Sequence, residues 1–274
     1  MYYHTGPYSA VEAITENTLI DMLSGASDAL EADGCSLSGG HTCEGVDLAL
    51  GFSVSSYVKD TSILLRKSGG KVGDKIVLTK PLGIGSIFAA NMRYQCRGTY
   101  VSEAIAMMTC SNGPASQVAV NIVQGRKGLN DTGIHACTDI TGFGLIGHLL
   151  EMLLANDSKE GLESIGATLH MDAIPFLSGA IDATANNIFS SLYKDNLRSK
   201  RAIRNHEMAM EASQLKYPLL FDPQTSGGLL FFVSPEICGD FIHQLLNIPG
   251  YQYSSIIGEI DACESKAIQR ITVA

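Results

Sequence analysis

The sequence predicts an α/β protein of two domains, the first of them truncated, and three observations carry that prediction. From about residue 70 onward, short apolar runs of strand type alternate with longer stretches of helical period. The 274 residues, 45% hydrophobic and 17% charged, suffice for one large or two ordinary domains with a real core. The first seventy residues hold too few strands for a domain of their own, so they read as the tail end of a larger one.

Taken in order, residues 11–33 place Val11, Ile14, Leu19, Met22, Leu23, Ala26 and Leu30 at helical spacing, which predicts a helix or helix pair. CSLSGGHTCEG follows, and LALGFSVSSYV (48–58) reads as a strand. The glycine-rich, charged RKSGGKVGD (66–74) is the expected linker. KIVLT then predicts a strand ending at Lys80-Pro81, and GIGSIFAANM opens a helix. Residues 100–124 are predicted helical, with Met107, Met108, Val118 and Ile122 on the buried side. HACTDI is a strand, GFGLIGHLLEMLLA a helix of three to four turns, and ATLHMD another strand. Residues 176–217 are mixed helices and loops. PLLFD and GGLLFFV flank the turn PQTS, GDFIHQLLNI is amphipathic, and SSIIGEI and AIQRITV close the chain as strands. The methionines at 107, 108, 152, 208 and 210 are read as core filling.

A net charge of −9 offers no general attraction to nucleic acid or an anionic membrane, so any phosphate must be held by local devices. Seven scattered cysteines without a CxxC pair indicate a reducing compartment. MYYHTGPYSA lacks the regions of a secretory signal, and no apolar run is long enough to span a bilayer. The expected location is cytoplasmic.

Chemistry concentrates in four glycine-rich stretches. In TDITGFG, Asp139 stands at the end of a strand and just before a helix, where it or Thr141 can cap the helix or Asp139 can hold a metal. Capping is the commoner use. GFGLIG also fits GxGxxG, but the acid that a dinucleotide site needs is badly placed, Asp172 lying thirty residues beyond Gly142. In SGGHT, Gly39 and Gly40 permit close approach to a phosphate and His41 supplies a donor; a metal trio of His41, Cys43 and Glu44 is disfavoured because adjacent residues rarely face one ion. In DPQTSGGLL, the amides around Thr225, Ser226 and Gly227 form either an anion nest or a hairpin turn. Lys80 of LTKPLGIG is a candidate phosphate contact or a solvated strand-end lysine. His148 reads as a packed helix residue.

Together, SGGHTCEGVDLALGFSV, LTKPLGIGSIFAA, CTDITGFGLIGHLLEM and LLFDPQTSGGLLFFV resemble selenophosphate synthetase (selenide, water dikinase) from about residue 10 to the end. EGVDLALGF and FSSLYKDNLR are most similar to the form fused behind a pyridine-nucleotide-dependent oxidoreductase. The resemblance implies an aminoimidazole ribonucleotide synthetase-like two-domain fold and a homodimer. Residues 1–68 would then be a remnant of the N-terminal ATP-binding domain and 69–274 the C-terminal domain. It implies conversion of ATP, selenide and water to selenophosphate, AMP and phosphate with Mg2+. It assigns Asp139 as a magnesium ligand and Gly39, Gly40 and His41 as ATP contacts. The family's nucleophilic Cys or selenocysteine, its catalytic lysine and its further aspartates are not found, so no catalytic residue is assigned and 1–274 alone is expected to be inactive. The alternatives are a non-catalytic ligand- or partner-binding relative and a purine-biosynthesis enzyme of the same fold.

Overall fold

The computed structural model describes residues 10–43, 48–264 and 267–274, with side chains from Ile14 onward; Val11 and Glu44 of the readings above lie outside the described side chains. The chain divides into two compact units, residues 1–59 and 60–274. In the first, α1 (Ala10–Ala32) is one helix. It ends at Gly34, whose φ of +70° suits glycine, while the Cys35 N–H donates back to the Leu30 carbonyl. The strand expected over 48–58 is not formed. Leu48, Leu50, Phe52 and Val54 have the right alternation but are exposed, and without a pairing partner among the described residues an extended run makes no ladder.

The second unit carries β1 (Lys75–Leu78), α2 (Ile84–Met92), α3 (Gly98–Thr109), α4 (Gly113–Gly125), β2 (Ile134–Asp139), α5 (Gly144–Asp157) and β3 (Ile165–Leu169). It continues through α6 (Ser178–Ala185), α7 (Tyr193–Asn196), α8 (His206–Ala212), β4 (Leu229–Val233), α9 (Pro235–Leu246), β5 (Ser255–Ala262) and β6 (Ile271–Val273). The six strands form one sheet in the order β2-β4-β1-β5-β3-β6, antiparallel throughout except for the β3–β6 pair.

Strand alternation divides the core in two. Ile76, Leu78, Leu230 and Phe232 face α5, while Val77, Phe231 and Val233 face α4 and α9. A sheet covered on both faces explains why LLFFV is an unbroken apolar run. A third cluster joins α2, α3 and α6 through Ile84, Ile87, Ala104 and Leu177.

Several expectations shift. The helical stretch 100–124 is two helices, broken at Cys110–Asn112. The third strand lies slightly earlier than ATLHMD, at Ile165–Leu169, and His170 leaves it to enter a short 3-10 turn. PLLF is a 3-10 turn (Tyr217–Phe221) and not a hairpin arm, because Pro218 occupies its first turn and lacks the N–H a ladder requires. Met107 and Met152 are core residues, but Met208 is 72% exposed and Met210 44%, each on the solvent side of the short α8.

RKSGGKVGD is not a linker. The Asn156 side chain, fully buried in α5, accepts from the Gly69 N–H at 2.8 Å and donates to the Gly70 carbonyl at 2.7 Å. A Cβ on Gly70 would lie 2.6 Å from the Phe232 ring. The Cys137 N–H donates to the Arg66 carbonyl at 2.8 Å, and Ile63 and Leu65 pack on the second core. Glycine here permits tight docking as a strap, so position 69 falls inside the compact unit, which begins at Asp60. Asn156→Ala should cost about 2 kcal/mol by stranding the Gly69 N–H and the Gly70 and Glu163 carbonyls, read as a lowered denaturation midpoint with an unchanged slope.

Candidate functional site

Asp139 is the last residue of β2, paired across from Leu229, and its side chain is exposed. The chain on either side is laced to the loop before β4. The Ile140 N–H donates to the Gly228 carbonyl at 2.8 Å and the Gln224 N–H to the Thr141 carbonyl at 3.0 Å. A Cβ on Gly227 would sit 2.1 Å from the Ile140 carbonyl oxygen, so that position must be glycine. TDITGFG and DPQTSGG are thus one structural unit, with Asp139, Thr225 and Ser226 exposed on it.

Neither Asp139 nor Thr141 caps α5. The residue before the helix is Phe143, and no side chain bonds the first turn. The turn is closed by Gly144, at φ +68°, whose N–H donates to the Thr141 carbonyl at 3.1 Å. The Thr141 hydroxyl instead meets His148 Nε2 at 3.2 Å. His148 is buried, as expected, and burial lowers its pKa against the opposing charges of Asp139 and Glu151. The GxGxxG reading fails on topology: β2 pairs antiparallel to its neighbour, whereas a dinucleotide crossover needs a parallel strand.

LTKPLGIG and DPQTSGG, both read as phosphate candidates, satisfy each other. The Gly83 and Ile84 N–H groups donate to Gln224 Oε1 at 3.1 and 3.2 Å, and the Gly85 N–H to the Pro223 carbonyl at 3.2 Å. The Ser86 N–H and hydroxyl donate to the Asp222 carboxylate at 3.1 and 2.7 Å. The anion at the α2 N-terminus is therefore Asp222 itself. Burial pushes its carboxyl up to about 6, against the Ser86 and Gln224 hydrogen bonds.

Lys80 is neither solvated nor turned toward the exposed loop face. It is 1% exposed, and its ammonium donates to the Cys110 carbonyl at 2.5 Å and the Ser226 carbonyl at 3.1 Å. Burial lowers its pKa. Ser226, at φ +51°, is further pinned by its hydroxyl, which donates to the Met108 carbonyl at 2.7 Å, and Asn112 Nδ2 donates to the Gly227 carbonyl at 2.9 Å. A serine held in the left-handed region is strained, and Lys80, the Met108 carbonyl of α3 and Asn112 of the following loop maintain it.

Gly39, Gly40 and His41 lie in the first unit, exposed and without close neighbours around the glycines. Among the described residues no group of three or more His, Cys, Asp or Glu is arranged to hold a metal. A lone exposed carboxylate suits a magnesium ion that arrives with its phosphates, not a resident one. Also among the described residues, no helix is long and apolar enough to cross a membrane.

Sequence reasoning passed over Asp222, Gln224, Ser86 and Asn112. Their partners lie more than a hundred positions away, so no local pattern marks them.

Residues 71–270 match the AIR synthase related protein, C-terminal domain. A selenide, water dikinase of Bdellovibrio bacteriovorus is 32% identical over 256 residues, 93% of this chain and 67% of that one. The chain belongs to the selenide, water dikinase family. Its second unit has the mixed α/β fold of the AIR synthase-related C-terminal domain. A second such relative, from Trichlorobacter lovleyi, is 34% identical over 223 residues, covering 81% of this chain but 58% of its own length. The chain thus spans roughly three-fifths to two-thirds of the relatives it matches. A hydrogenase maturation protein HypE superposes with a TM-score of 0.48 at 14% identity, over 77% of this chain and 52% of that one.

Proposed function

We propose that this chain supplies the C-terminal part of an ATP- and Mg2+-dependent site that makes selenophosphate from selenide and water. The observation that supports it is the exposed Asp139 carboxylate on the laced TDITGFG–DPQTSGG unit, in a chain one-third identical to selenide, water dikinases. Magnesium bound with the nucleotide would neutralise charge developing on the transferred phosphoryl group. Asp139 would give that ion one oxygen, and Thr225, Ser226 and the Gly227 amide would face the phosphates. Lys80 acts one step back, by holding Ser226. Gly39, Gly40 and His41 would contact ATP across a homodimer.

With one carboxylate in the described donor set, purified 1–274 is expected to form no AMP from ATP and selenide above background. The endogenous protein, captured with an antibody to residues 176–217, is expected to form AMP only when selenide is added, with selenophosphate visible by phosphorus NMR. Capture of a species without selenide-dependent AMP would refute the enzymatic reading and leave the non-catalytic relative, which the lone carboxylate favours. Dependence on formylglycinamidine ribonucleotide in place of selenide would support the purine-biosynthesis alternative.

A further inference from the structure

On the second unit, a cleft of about 320 Å³ lies between the 62–71 strap, the loop before β2 and Lys159. Its lining is mixed: Ile63 and Leu65 are half-buried, and Val123 and Ile134 lie almost wholly buried beneath it in the second core. Its rim carries Arg66, Lys71 and Lys159.

The charges here are organised. His135, its side chain 6% exposed, lies between two carboxylates, with Nδ1 2.8 Å from Asp74 and Nε2 2.8 Å from Asp131. A ring facing acceptors at both nitrogens is favoured in its doubly protonated form. Burial opposes that charge, but Asp74 and Asp131 outweigh it and raise the His135 pKa. Asp131 is fully engaged: Lys71 Nζ is 2.6 Å away and the Gly133 N–H donates to it at 2.6 Å. Asp74, 2% exposed, also accepts from the Lys71 N–H at 2.8 Å. Both carboxylates are therefore spent on internal partners. Arg66 and Lys159 have no ion pair among the described residues. Three basic side chains, Arg66, Lys71 and Lys159, line the cleft against one carboxylate, Asp131, in a chain of net charge −9. Such a surplus around a concave, partly apolar surface is relieved by a ligand that brings two negative charges on a small apolar body.

We propose that this cleft binds a small organic phosphate monoester, its apolar body on Ile63 and Leu65 and its phosphate between Arg66, Lys71 and Lys159. Nucleotide and sugar or aryl phosphates share this chemistry. The site is independent of the Asp139 unit and of the reaction proposed there.

The test is an amide NMR titration of the whole chain with phenyl phosphate, inorganic phosphate and phenol. Saturable shifts are expected at residues 62–71, 130–135 and 159 with phenyl phosphate, weaker ones with inorganic phosphate and none with phenol. Mononucleotide and sugar phosphates, titrated next, distinguish the natural sources by affinity. Arg66→Glu with Lys159→Glu, both exposed positions, should weaken phenyl phosphate binding at least about ten-fold while leaving the rest of the spectrum in place. Absence of saturable shifts at those residues, equal response to phenol, or full affinity in the doubly reversed variant would each overturn the proposal. Shifts confined to Asp139 and residues 225–227 would overturn it too and would speak for the other site.

Discussion

Asp222→Ala is expected to destabilise the second unit by about 3 kcal/mol at neutral pH. The side chain accepts from the Ser86 N–H and hydroxyl and contacts Gln224 Nε2, all buried. Truncation strands those donors and removes the negative charge at the start of α2. Gln224 stays anchored, because its Nε2 still donates to the Asp222 backbone carbonyl at 2.8 Å. Asp222→Asn keeps one acceptor and should cost far less. The pH dependence is a second signature. The folded pKa is raised to about 6 by burial, above an unfolded value of about 3.9. The stabilisation from the protonated carboxyl is therefore fully present below pH 4 and is lost as pH rises through 6. The group's contribution should fall by roughly 3 kcal/mol across that window, and Asp222→Asn should lack that fall. Burial would raise Asp131 and Asp157, but Lys71 and His135 beside the first, and Arg270 2.9 Å from the second, hold both below the usual carboxylate range, so they push the opposite way at lower pH. The difference between wild type and Asp222→Asn, followed by denaturant melts from pH 4 to 7, isolates Asp222. Parallel pH curves would remove the burial argument, and an Asp222→Ala midpoint equal to wild type would remove the cap.

Much of this architecture is written locally. The helical spacing at 11–33 and 142–155, the apolar run LLFFV and the strand SSIIGEI each depend on neighbours no more than about four positions away, and those elements form within about two residues of where the pattern puts them. The failures have one cause. LALGFSVSSYV has a strand's alternation, but a strand also needs a partner, and none is paired to it. RKSGGKVGD has a linker's composition, yet its glycines are there so that Asn156, Phe232 and Ile165 can approach. The site divides in the same way. Asp139 at an exposed strand end follows from T-D before a glycine turn. That Lys80 points inward, and that Asp222 caps α2 across 136 positions, depends on sheet order, with β4 beside β1, which no short window contains.

Asp139→Asn should separate a structural role from a chemical one. The side chain is exposed and ends β2 without capping α5. Folding stability should therefore move by no more than about 0.5 kcal/mol, as for an ordinary surface change. The proposed chemistry is far more sensitive. Asparagine keeps an oxygen of similar reach but not the charge that a hard, strongly hydrated ion demands before it yields water. In the endogenous enzyme carrying this substitution, selenide-dependent AMP formation should fall on the order of a hundred-fold. The magnesium concentration for half-maximal rate should rise with it. A rate loss without a change in magnesium dependence would place Asp139 near the phosphates but not on the ion. A rate and magnesium dependence equal to wild type would leave Asp139 as no more than the solvated end of a strand, and the metal reading would fall while the fold stood.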